Sequence, residues 1–484
     1  MPTIWSTRMR NHGSAHPSFA TRLLALFATC SLALAACTST NGISATPMRP
    51  PKNIIILFAD GAASTQWDFG RYSSRVLRKQ PFVSTDVVFR DGTLGLIATS
   101  PHYAYVVDSA AAASAMSTGF KVENGSVSVT PDGKPVRTAM QVAKAAGKRI
   151  GLVTTATVYD ATPSAFSINA RSRRDSQALV DQLLALEPEV LMGGGADYFV
   201  PEGTPGGKRK DGRDIIAAFR GKGYQVVRDT AALKGATGLR LLALFADEDM
   251  DFELDRDAAK EPTTAEMAAA ALNALSDSPA GFVLLVENEN IDTAGHANDA
   301  ASLMRALWAL DDAVKVALDF QRRVPDTQII ITGDHETGGF SPTYALRDLG
   351  TLSSKNRFYS GDEHLRMLGR ITASLNAVHE KLGRRPSSEM LDKVLAEHFP
   401  SFRLDSDLRE HILKQQPLER NFSYLTQNAL GRMVARQTGY YWGTSGHTPE
   451  PAVVGAIGPG AEVFRGYQDN TDFGKHLHRL IRGR

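Results

Sequence analysis

The strongest constraint on this chain is an alternation that begins at residue 53. Continuous apolar runs of strand length recur, separated by stretches with apolar residues at helical spacing. An apolar run without polar alternation marks a strand buried on both faces, as in a parallel sheet covered by helices on either side. Asn53–Ala59, Arg149–Thr155, Glu189–Met192, Gly281–Glu287, Gln328–Thr332 and Ala452–Ile457 are such runs. Thr138–Ala146, Thr263–Leu275 and Ala300–Phe320 read as helices, the last with Leu303, Leu307, Leu310, Val314 and Leu318 on one stripe. The expected fold class is α/β: a three-layer α/β/α sandwich around a mostly parallel central sheet. Residues 349–439 break the alternation. They read as helices over Asp362–Leu382, Ser387–Glu397 and Asp405–Gln415, a helical insertion near the C-terminus that covers one end of the sheet.

The chain ahead of this domain reads as a targeting segment. Arg22 precedes an apolar run, Leu23 to Ala36, interrupted by Thr29, Cys30 and Ser31 and too short for a membrane span. It ends in Leu34-Ala35-Ala36-Cys37, which resembles the lipobox of bacterial lipoproteins, where the cysteine is lipidated and the chain is cut before it. The expected organisation is a signal peptide over 1–36, a small-residue flexible tether over 37–51 and one folded domain over 52–484. The expected location is outside the cytoplasm, periplasmic or in the cell envelope, with membrane attachment only through a lipid on Cys37. An ordinary cleaved signal with an incidental cysteine is the alternative. The chain has 2 Cys, Cys30 and Cys37. The mature domain therefore holds no thiol pair, and its stability must come from core and ligands.

Charge excludes one class of partner. Lys+Arg number 54 against 52 Asp+Glu, with no basic stripe, so no nucleic-acid binding is expected. Small anions would have to be drawn by a local site rather than a global field.

In open parallel sheets ligands bind at the carboxyl ends of the strands, and here those ends carry metal-type residues. Asn53–Ala59 delivers Asp60, Gly281–Val286 delivers Glu287 followed by Asp292 and His296, and Gln328–Thr332 delivers Asp334 and His335. His447 lies just before the last run. Mixed carboxylate and imidazole ligands suit zinc, and oxygen-only sets suit magnesium. Each piece also has a plain reading: Asp-Gly as a turn, Asp292 and His296 as a helix-surface pair, Asp-His as a helix cap. Ser109 opens an alanine run, Asp108 to Ala115, so it falls at a helix N-terminus that favours anions, or it is only a cap there.

Taken together, the segments resemble the alkaline phosphatase family. Lys52 to Gly61 looks like that family's first strand and metal ligand, and Asp108 to Gly119 like its nucleophile motif. Thr154-Thr155, Asp160-Ala161-Thr162-Pro163 and Arg173 follow in its order. Glu287 to His296, Asp334 to Gly339, and Thr444 to Thr448 complete the set, and the resemblance extends through Asp469-Asn470-Thr471-Asp472.

The resemblance implies an alkaline phosphatase-like catalytic domain that hydrolyses small phosphate esters through a phosphoserine, with two zinc ions and one magnesium. Asp292, His296 and His447 would hold one zinc, and Asp60, Asp334 and His335 the other. Asp60, Thr162 and Glu287 would hold magnesium, and Asp160 would orient its water. Ser109 would be the nucleophile and Arg173 the phosphoryl clamp, with Arg171 and Arg174 as neighbouring rivals. Family members are often dimers, so a homodimer is an expected assembly. Two departures stand out. Ala62-Ala63 replaces the usual Met-Gly after Asp60-Gly61, and Thr293 replaces the Lys or His that often follows Asp292 and would contact phosphate. The insertion is either a lid shaping access for larger substrates or a stabilising appendage. Three other readings are a phosphodiesterase or a sulfatase of the same superfamily, and a non-catalytic phosphate- or metal-binding lipoprotein. Sulfatases carry Cys or Ser in a Cys/Ser-x-Pro-x-Arg motif that Ser109 lacks, and the diesterases commonly use Thr without the matched arginine.

Overall fold

The computed structural model describes residues 50–348, 350–351 and 353–483. The signal segment, Cys37 and the tether up to residue 49 lie outside the described residues.

Ten strands form one sheet: β1 (Asn53–Ala59), β2 (Thr93–Ala98), β3 (Arg149–Thr157), β4 (Val190–Gly194), β5 (Gln225–Val227), β6 (Leu241–Leu244), β7 (Phe282–Asn288), β8 (Thr327–Thr332), β9 (Ala452–Ile457) and β10 (Gly466–Asp469). Their order is β10-β2-β9-β8-β1-β7-β3-β4-β6-β5. Strand β1 lies at the centre, parallel to β7 and β8, and is buried over its whole length. Only β9 runs against the rest, antiparallel to both β8 and β2. The expected mostly parallel α/β sheet is therefore the observed one.

Helices cover the sheet: α1 (Ser109–Thr118), α2 (Ala161–Ser167), α3 (Asn290–Ala297), α4 (Ala300–Arg323), α5 (Leu425–Thr438) and α6 (Asn470–Arg482) are those that bear on the site. Helix α4 starts where the Asp299 carboxylate accepts from Ala301 N and Ser302 N, a cap for otherwise unpaired donors. Its predicted stripe, Leu303 through Leu318, is buried in the main core.

Two expectations change in detail. The single helix expected over Asp362–Leu382 is two, Asp362–Leu368 and Leu375–Leu382. Ser374 caps the second by accepting from Ala377 N at 3.0 Å, and Leu375 N donates to Asp299 Oδ2 at 2.7 Å, which ties the break to the start of α4. The stretch after β8 also holds a short antiparallel pair, Tyr344–Leu346 with Arg357–Tyr359, that no apolar run announces.

Candidate active site

The carboxyl edge of the sheet gathers the expected residues from five separate stretches of chain. Asp60 leaves β1 and is 1% exposed, beside Gly61 at φ +79°. A Cβ on Gly61 would sit 2.7 Å from Asp292 Cα, so glycine is required for close approach as well as for the turn. Glu287 lies within β7, Asp292 and His296 share one face of α3, and Asp334 and His335 follow β8. His447 precedes β9, and the reversed direction of that strand brings its start to the same edge.

Two ligand groups form. Ligand atoms of Asp60, Asp334 and His335 lie within 4.8 Å of one another, the set expected for one metal. Asp292 and His447 cluster equally tightly, with His335 as the third member. His296 joins this second group through Nε2, 3.1 Å from Asp292 Oδ2 and 3.2 Å from His447 Nε2. The two groups are thus neighbours that share the His335 imidazole.

The hydrogen bonds around the imidazoles fit metal ligation. His296 Nδ1 lies 2.6 Å from the Ser445 carbonyl and His447 Nδ1 2.6 Å from the Val107 carbonyl. A carbonyl accepts only, so each Nδ1 carries a proton and each Nε2 is the nitrogen left to face the cluster. Asp60 Oδ1, Glu287 Oε1 and Asp334 Oδ2 are buried without a hydrogen-bond partner. Buried oxygens of this kind are costly unless a cation meets them.

Electrostatics point the same way. Burial, then the nearby charges of Asp334, Asp292 and Glu287, raise the Asp60 carboxyl well above its ordinary range. Burial, then Asp292, pushes Asp334 up to about 8, and burial with Asp160 and Asp334 pushes Glu287 up to about 8. Burial also opposes ionisation of Asp292, but His296 and the other imidazoles hold its carboxyl below the usual range. Crowded carboxylates in a dry edge call for divalent cations.

The oxygen-only set is also assembled. Thr162, in α2, donates to Asp60 Oδ2 at 3.4 Å, and Thr154 in β3 donates to Glu287 Oε2 at 2.6 Å. The Thr293 hydroxyl donates to Glu289 Oε1 at 2.6 Å.

Ser109 begins α1 and is 4% exposed, with Oγ 3.2 Å from His335 Nε2. The capping role belongs to Asp108, which accepts from Ala111 N at 2.9 Å and Gly125 N at 2.9 Å. The serine hydroxyl is therefore spare for chemistry. Arg173 Nη2 lies 3.0 Å from Asp160 Oδ1 and Nη1 3.5 Å from Asp108 Oδ2, so the guanidinium is held against the residue that precedes Ser109. Among the described residues, Arg171 and Arg174 make no such ion pair.

Sequence reasoning missed the supports. Thr337 donates to Asp292 Oδ1, and Glu336 accepts from Gln66 Nε2 and Thr448 Oγ1 at 2.7 Å each. From α5, Asn428 Nδ2 donates to the His296 carbonyl at 3.0 Å, and the Tyr424 ring stacks on His296 at 5.6 Å. Of these, Glu336, Thr337 and Thr448 lay inside quoted motifs; Asn428, Tyr424 and Gln66 carried no signal.

An edge of this composition, crowded carboxylates and imidazoles beside a buried serine hydroxyl, suits a site for divalent metals. The family model for alkaline phosphatase matches residues 51–482. Alkaline phosphatase 3 of Bacillus subtilis is 30% identical over 439 residues, 89% of each chain. The repressible alkaline phosphatase of Saccharomyces cerevisiae is 30% identical, over 89% of this chain and 81% of that one. The crystal structure of Thermus thermophilus alkaline phosphatase superposes with a TM-score of 0.79 at 29% identity, covering 90% of this chain and 92% of that one. The chain belongs to the alkaline phosphatase family. Phosphate monoester hydrolysis is its activity, and divalent metal binding belongs to it with the family.

Proposed function

We propose that hydrolysis proceeds through a phosphoserine at Ser109, beside two zinc ions and one magnesium. The observation that carries this reading is the Ser109 hydroxyl 3.2 Å from His335, inside a cage of buried carboxylates and imidazoles. Asp292, His296 and His447 would hold one zinc, Asp60, Asp334 and His335 the second, and Asp60, Thr162 and Glu287 the magnesium. Imidazole and carboxylate nitrogen and oxygen donors suit zinc, and the hydroxyl and carboxylate set suits magnesium. Bound there, such cations supply Lewis-acid chemistry, lowering the pKa of a nearby hydroxyl or water and neutralising phosphoryl charge.

The chain's own residues do the rest. The α1 N-terminus presents backbone N–H groups and a favourable dipole to the phosphoryl oxygens. Arg173, braced by Asp160 and Asp108, offers its planar fork to two of those oxygens. Ser109 Oγ forms a bond to phosphorus as the ester P–O bond breaks; the serine proton leaves to solvent and the departing alkoxide takes one up. Water then attacks phosphorus on the face the alkoxide has vacated, opposite Oγ; the Oγ–P bond breaks, and Oγ takes up the proton that the water loses as inorganic phosphate leaves.

The sequence Leu34-Ala35-Ala36-Cys37 supports an exported enzyme tethered by a lipid on Cys37 in the cell envelope. Homodimerisation is proposed on the habit of the family alone. The test is an aryl phosphate, its diester and an aryl sulfate assayed side by side, with metal content before and after chelation. Activity confined to the monoester, lost with zinc and magnesium, is expected. Turnover of the chelated protein, or equal turnover of the diester, overturns the reading.

A further inference from the structure

A cavity of about 740 Å³ is lined by Asp108, which precedes Ser109, by Arg173, and by Arg171 and Arg174. This is the size of a small-molecule site, of ~300–1,000 Å³, and far more than one phosphoryl group needs. Three arginine residues, Arg171, Arg173 and Arg174, line it with two acidic ones, Asp108 and Asp160. Both carboxylates are turned to Arg173, and Asp108 also accepts from two backbone N–H groups. Arg171 and Arg174 have no carboxylate within ion-pair distance among the described residues. The cavity thus carries two uncompensated, exposed cations beyond the clamp.

The segment that bears them is fixed by the backbone. Arg173 N donates to the Gly125 carbonyl at 2.8 Å, and Ala170 and Val127 exchange a pair of hydrogen bonds at 2.9 Å each. Arg174 N donates to Ser172 Oγ at 3.2 Å. The Arg171 guanidinium lies over the Gly133 turn, where a Cβ would come within 2.6 Å of its Nη2. Guanidinium forks held on a rigid strip match phosphate oxygens in pairs and are weakly hydrated, so they can give up water to an anion.

We propose that this cavity is a second anion subsite, which selects phosphate esters carrying another phosphate on the leaving group. The ester phosphoryl sits at Ser109 and Arg173 while Arg171 and Arg174 take the second group. The inference rests on the proposed roles of Ser109 and Arg173. The test compares kcat/KM of the metal-loaded enzyme for a hexose bisphosphate and the matching hexose monophosphate. The wild-type ratio should exceed one by several-fold and fall as salt rises. In Arg171→Ser/Arg174→Ser the ratio should drop by about 10-fold, and Arg171→Lys/Arg174→Lys should recover only part of it. A wild-type ratio of one or less, or a ratio unmoved in the serine variant, overturns the subsite. Hydrolysis of neither ester would overturn the underlying phosphatase mechanism, and the subsite with it.

Discussion

Ser109 Oγ lies 3.2 Å from His335 Nε2, although 226 residues separate them in the chain. The hydroxyl comes from the first residue of α1 and the imidazole from the end of β8, so two rigid elements set the distance. Because Asp108 caps α1, Ser109 is not needed for the helix. Ser109→Ala should therefore fold normally, retain its bound divalent metal, and lose at least about 10³-fold in kcat. His447→Ala removes an imidazole whose Nε2 faces the cluster and should lose metal as well as activity. Metal analysis of the two purified variants beside their rates separates nucleophile from ligand; equal metal loss in both would sink the assignment.

Arg173 is held by two carboxylates, so its guanidinium is positioned before substrate arrives. Arg173→Lys keeps the charge and loses the fork. The expected loss is about 10–100-fold in kcat/KM, with a parallel weakening of inhibition by inorganic phosphate. Full activity in the lysine variant would show that Arg173 acts only as a point charge.

The six apolar runs were legible because each is a strand buried on both faces, where composition alone betrays burial. Strand β2 was not, since Thr93 and Gly95 on its buried face interrupt the apolar run while Leu94 and Leu96, 49% and 39% exposed, lie on its outward face. Strands β5 and β10 lie at the sheet margins, with three and four residues and few apolar side chains. The ligands were legible through strand ends and motif resemblance, but His447 exposes the limit of the strand-end rule. A residue ahead of a parallel strand would fall on the far edge. Only the antiparallel course of β9, a property of topology, returns it to the site. Asn428 and Tyr424 were invisible for a similar reason: nothing local distinguishes a helix that packs on a metal segment from one that merely fills space.

The crowded acids predict how the protein answers chelation. Asp334 and Glu287 are each pushed up to about 8 by burial and neighbouring acids. Their folded pKa values thus exceed those of the unfolded chain, near 4, and the stability each contributes is present below that lower value and lost as pH rises through about 8. Chelated protein should therefore lose several degrees of Tm, and more at pH 9 than at pH 6. Thermal melts with and without chelator at the two pH values check this. An equal or smaller loss at pH 9 would mean that the carboxylates are relieved by something other than cations.

Helix α5 packs directly behind the metal segment: Asn428 Nδ2 donates to the His296 carbonyl at 3.0 Å and to Asn298 Oδ1 at 2.8 Å. A Cβ on Gly431 would meet the Asn298 carbonyl oxygen at 2.6 Å, so the two elements touch backbone to backbone. Asn298 itself is left-handed at φ +59° and closes α3 just after His296. The orientation of His296 therefore depends on a residue from the insertion, and excising residues 355–435 whole would remove a support of the site along with any lid. Asn428→Ala is the finer cut. It leaves every expected ligand in place, yet should raise the zinc concentration for half-maximal reactivation of the chelated enzyme by about 10–100-fold, the usual effect of losing an outer-shell support. Circular dichroism should show the same helix content as wild type. Reactivation at the wild-type zinc concentration would mean that α3 holds His296 without help, and that the insertion stands apart from the metal site.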